Sequence, residues 1–114
     1  MKLSAGLLHF VNAQTIDMAD ATVTLTLVPG TPTGTTLLSN NLAVDANSSG
    51  TEKLLLPPEA DCNGLVLHIA NTGGEDIVVT NDADDATICT ISTTECGTVM
   101  CDGTTWRGGV LKTT

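Results

Sequence analysis

The most informative pattern in the chain runs from Leu65 to Trp106. Five short apolar or β-branched runs follow one another there: Leu-Val-Leu-His-Ile-Ala, Asp-Ile-Val-Val-Thr, Thr-Ile-Cys-Thr-Ile-Ser, Cys-Gly-Thr-Val-Met-Cys and Thr-Thr-Trp. Polar clusters divide them at residues 71–75, 81–86, 93–95 and 102–103. Apolar runs of this length, punctuated by Gly, Asn and Asp, predict strands of an antiparallel meander. Asp102-Gly103 is the sharpest turn signal, because Gly adopts positive φ freely and Asp tolerates it.

Upstream, Val23, Leu25 and Leu27 alternate with Thr22, Thr24 and Thr26, the period of a half-buried strand with Thr outward. Pro29 to Gly34 ends it, since Pro cannot donate to a ladder. Thr35–Leu38, Leu42–Val44 and Glu52–Leu56 read as further short strands, the last stopped by Pro57-Pro58. Thr15–Ala21 carries a weak helical pattern too short to stand alone. Gly108-Gly109 reads as a break before a last edge strand at Val110-Leu111. The expected fold is all-β: one domain over residues 1–114, an antiparallel β-sandwich or jelly-roll-like. Within residues 1–20, the N-terminal segment with its apolar run Gly6–Val11 reads either as a docking arm or as the domain's own first strand, and residues 45–50 separate the N-terminal part from a meander over 51–107.

Composition supports that reading. Among 114 residues there are one Trp, one Phe and no Tyr, so the core must be aliphatic. The formal net charge of −9 and only 4 Lys plus Arg disfavour nucleic acid and anionic membrane surfaces as partners. Apolar runs fall far short of the ~20 residues of a spanning helix. Lys2 to Ala13 imitates a short signal peptide, but Ser4, Gly6 and His9 interrupt its apolar stretch. It is read as structure, in a chain made in a cytoplasm.

No catalytic constellation is apparent, and no enzyme activity or cofactor is expected. Cys62, Cys89, Cys96 and Cys101 lack zinc-finger spacing, and read as small buried thiols or a disulfide. His9 and His68 lie in apolar runs without partner motifs. Asn81 to Asp85 is a dense carboxylate cluster, but it lacks the glycine and closing Glu of an EF-hand and falls where a turn is required. The single Trp106 reads as a core or interface anchor rather than a sugar platform.

Residues 51–107, from Leu-Leu-Leu-Pro-Pro through Gly-Leu-Val-Leu-His-Ile-Ala-Asn-Thr-Gly-Gly to Val-Met-Cys-Asp-Gly-Thr-Thr-Trp, resemble small β-domains of tailed-bacteriophage virions. The likeness is strongest to trimeric capsid decoration (cement) proteins and head fibre modules. It implies a structural protein on the outer capsid surface, with the major capsid protein and its own copies as partners in a homotrimer. The alternative it implies is a glycan- or receptor-binding fibre module. The apolar residues Leu7, Leu8, Phe10 and Val11, with Leu54, Leu55, Leu56 and Trp106, are the expected capsid or oligomer contacts.

Overall fold

A computed structural model describes residues 12–19, 21–27, 34–47 and 52–111. The expected first strand at Gly6–Val11, with Leu7, Leu8, Phe10, Val11 and His9, lies outside them, as does most of the Pro29–Gly34 turn.

The described chain is all-β, with ten strands and a short 3-10 turn at Glu59–Asp61. The strands are β1 Gln14–Asp17, β2 Val23–Thr26, β3 Thr35–Thr36, β4 Asn41–Asp45, β5 Lys53–Leu55, β6 Val66–Asn71, β7 Ile77–Thr80, β8 Thr87–Ile91, β9 Cys96–Cys101 and β10 Trp106–Leu111. They form two five-stranded sheets: sheet I in the order β1-β4-β6-β9-β10, and sheet II in the order β3-β2-β5-β7-β8. The sandwich is as expected. Its connectivity is not that of a meander or jelly roll.

Three times the chain passes from sheet I to sheet II: β1 to β2, β4 to β5, and β6 to β7. Each passage stacks on the one before, so β1, β4 and β6 are parallel, as are β2, β5 and β7. Ile16 thus pairs with Val44 and Val44 with Asn71, steps of 28 and 27 residues. Antiparallel pairing is confined to β7–β8, β6–β9 and β9–β10. The N-terminal half is a flattened coil, and the last three strands close it. A period-two strand buries the same face whichever way its neighbour runs, so the hydrophobic pattern alone leaves strand direction open.

Inward residues of both sheets share one core: Ile16, Leu42, Val44, Leu67, Ile69 and Val99 from sheet I, and Leu25, Leu54, Ile77, Val79 and Ile91 from sheet II. Two boundaries move. Residues 14–17, inside the supposed arm, are strand β1, and Ile16 and Met18 are buried in the core. The weak helical pattern at Thr15 yields here to pairing with β4. Strand β10 runs through Gly108-Gly109. Gly108 is needed there, since a Cβ would lie 2.6 Å from the Thr98 carbonyl and 2.7 Å from Val99.

One end of the sandwich is closed by residues 57–64. Asn63-Gly64 forms a turn, with Gly64 at φ 88° and Leu65 N–H donating to Cys62 O at 2.8 Å. The Trp106 indole N–H donates to Pro57 O at 2.9 Å, which fastens this loop over the buried ring.

Candidate interaction surface

Alternation along sheet I sends every second side chain outward, and the register aligns those side chains in rows. One row runs Thr15, Ala43, Ala70, Cys96, Leu111 across all five strands. The next runs Asn41, His68, Thr98, Gly109, and a third joins Val66, Met100 and Arg107. Arg107 is the single charged residue in these rows, and its Nε lies 3.4 Å from Asp102 Oδ2. At the margin, Asp17 pairs with Asp45.

The contrast with the loops and turns is electrostatic. Apart from those two strand ends, the carboxylates of the described residues sit in loops and turns. The outer face of sheet II is rich in hydroxyls, bearing Thr24, Thr26, Thr87 and Thr90 beside half-buried Leu55 and Val78, and its Lys53 is paired with Asp84 at 3.1 Å. Sheet I exposes Met100 and Leu111, the latter at 71% of its full accessibility, while Leu27 and Leu38 are exposed in loops beyond β2 and β3. Apolar side chains exposed on one charge-poor sheet face mark it as a contact surface.

Near the β1 edge the face dips into a hollow of about 200 Å³ lined by Ala13, Ala43, His68, Ala70 and Cys96. Small residues on neighbouring strands create it. His68 Nδ1 meets Thr98 Oγ1 at 3.2 Å, so the ring is tied to its cross-strand neighbour rather than to Cys96. What the arrangement offers chemically is shape and neutrality.

The expected contact residues that lie among the described ones fall elsewhere. Leu54 and Leu56 are wholly buried in the domain's own core, and Trp106 is closed in beneath the 57–64 loop. Leu54 takes the inward position of its strand, and Leu56 follows it just beyond β5. Both are therefore core residues, and Trp106 is the core anchor of the two roles open to it. Leu55 points outward on sheet II, half-buried. The outward residues of sheet I were obscured because Leu-Val-Leu-His-Ile-Ala reads as apolar on both sides. The available signal was the lack of charge at alternating positions.

The carboxylate cluster is a turn organised by Asn81. Its side-chain Oδ1 accepts from Asp85 N–H at 3.0 Å and Ala86 N–H at 3.2 Å, and its Nδ2 donates to Asp85 Oδ1 at 2.6 Å. Asp84 adopts positive φ, 57°, and turns to Lys53.

Among the described residues no helix is long and apolar enough to cross a membrane. Comparison with family models, curated proteins and solved structures returned no match.

Proposed function

We propose that the chain is a structural assembly protein, a decoration protein that forms a homotrimer on the outer surface of a virus capsid. The observation that carries the reading is the charge-poor outer face of sheet I, which exposes Met100 and Leu111 and whose single Arg107 is ion-paired, on a molecule of net charge −9. Like-charged copies repel, and they approach at least cost where neither presents charge. The face is therefore turned to a neighbouring copy. Burial of Val66, Met100 and Leu111 would each contribute ~1.5–3 kcal/mol before ordering costs.

The virion setting and the number three come from the resemblance of residues 51–107. An acidic protein is better placed outside a DNA-filled shell than within it. In this reading residues Leu7, Leu8, Phe10 and Val11 supply apolar contacts to the major capsid protein.

The test is binding of purified protein to shells stripped of it, followed by electron microscopy, with a glycan array run in parallel. Saturable density on the shell surface, lost on deletion of residues 2–11, supports the reading. Selective glycan binding with no shell density overturns it in favour of a fibre module.

A further inference from the structure

We propose that Cys62 and Cys101 are a disulfide-forming pair, and that the bond staples the 57–64 loop to the end of β9. The two residues are far apart in sequence but meet at one carbonyl, Cys62 through its backbone N–H and Cys101 through its thiol. Glu59 O accepts from Cys62 N–H at 3.1 Å and from the Cys101 thiol at 3.4 Å. Two further backbone bonds bracket the junction: Gly64 N–H to Cys101 O at 2.8 Å, and Cys101 N–H to Leu65 O at 3.0 Å. Cys62 and Cys101 are both buried, whereas Cys96 is exposed on sheet I and Cys89 belongs to sheet II.

Burial, then the proximity of Cys101, pushes the Cys62 thiol up to about 11. The nucleophile in exchange is the thiolate, so the closed loop protects the pair and oxidation proceeds when the loop opens. With a small disulfide RSSR, one cysteine thiolate attacks and releases one RSH as a mixed disulfide forms. The second thiolate attacks the protein sulfur of that bond and releases the other RSH. Two protein thiols are oxidised, one RSSR is reduced, and the two thiol protons leave on the two RSH molecules. On a chain made in a reducing cytoplasm and later exposed on a particle, this would set the staple after assembly. That timing rests on the proposed function, but the pairing does not.

The experiment is oxidation of the full chain by glutathione disulfide, both folded and during refolding from urea, followed by alkylation and peptide mass mapping. The expected product is a Cys62–Cys101 linked peptide pair that dithiothreitol separates, with a thermal midpoint raised by roughly 10 °C. Trp106, the register partner of Cys101, should report closure by a fall in emission. Cys62→Ser and Cys101→Ser should each abolish the link, while Cys89→Ser and Cys96→Ser preserve it. If both thiols are recovered alkylated after oxidative refolding, or either is bridged mainly to Cys89 or Cys96, the proposal is overturned. Shell binding plays no part in this readout, so it fails or stands apart from the decoration reading.

Discussion

Asn71 occupies an inward position in register with Val44, where an aliphatic side chain would continue the stack. Its amide instead donates to Ile91 O at 2.9 Å and Glu75 O at 2.7 Å, and its oxygen accepts from Gly73 N–H at 2.9 Å. One side chain thus ties the β6–β7 connection to the end of β8. Asn71→Ala should cost about 2–4 kcal/mol, because it strands buried groups rather than removing a matched pair. Urea unfolding that shows less than about 0.5 kcal/mol would remove Asn71 from this role. Asp102 holds the β9–β10 hairpin in a different way. Hydrogen bonds from the Thr105 and Thr104 N–H groups, and then the Arg107 guanidinium, hold its carboxyl below the usual aspartate range. A lowered native pKa means stability that is present above the unfolded value, about 3.9, and is lost as pH falls through the lower native one. The hairpin amides should therefore shift in an NMR titration below that pH, and Asp102→Asn should abolish the transition. The turn at Asp102-Gly103 was legible, but only Gly103 takes positive φ, and Asp102 serves instead as acceptor for a loop of residues 102–105. Asn71 read as the start of a turn, since its partner Ile91 is distant in sequence.

At the scale of elements, strand positions followed the hydrophobic pattern closely, from Val23–Thr26 to Cys96–Cys101. Neighbours did not. Turn residues suggested hairpins between successive strands, but β6 and β7 lie in different sheets. The 72–76 connection is a coil corner, and the close approach of backbones from two coils explains its glycine. A Cβ on Gly73 would collide with the Ala46 backbone, whereas one on Gly74 meets nothing within 4 Å. Gly73→Ala should destabilise by about 1–3 kcal/mol, since the clash is with backbone that cannot turn aside. Gly74→Ala should stay within about 0.5 kcal/mol of the parent. Equal thermal midpoints for the two variants would argue against stacked coils at this corner. The contact face was illegible for a related reason: its rows assemble residues from five strands, and no single strand displays them.

Across the whole molecule, acidic loops and a charge-poor sheet face divide the labour of solubility and association. Repulsion between copies of charge −9 opposes assembly, and salt screens it over a Debye length of about 10 Å at 0.1 M. Self-association should therefore strengthen as salt rises, which sedimentation across a salt series would show. An interface dominated by ion pairs would weaken instead. The most direct test of the account is sedimentation velocity of the full chain at micromolar concentration beside Ala70→Glu, which places a carboxylate mid-face on an outward strand position. The account predicts a closed oligomer for the parent, and for the variant a monomer with an unchanged circular dichroism spectrum. A monomeric parent, or a variant that assembles as tightly as the parent, would contradict it.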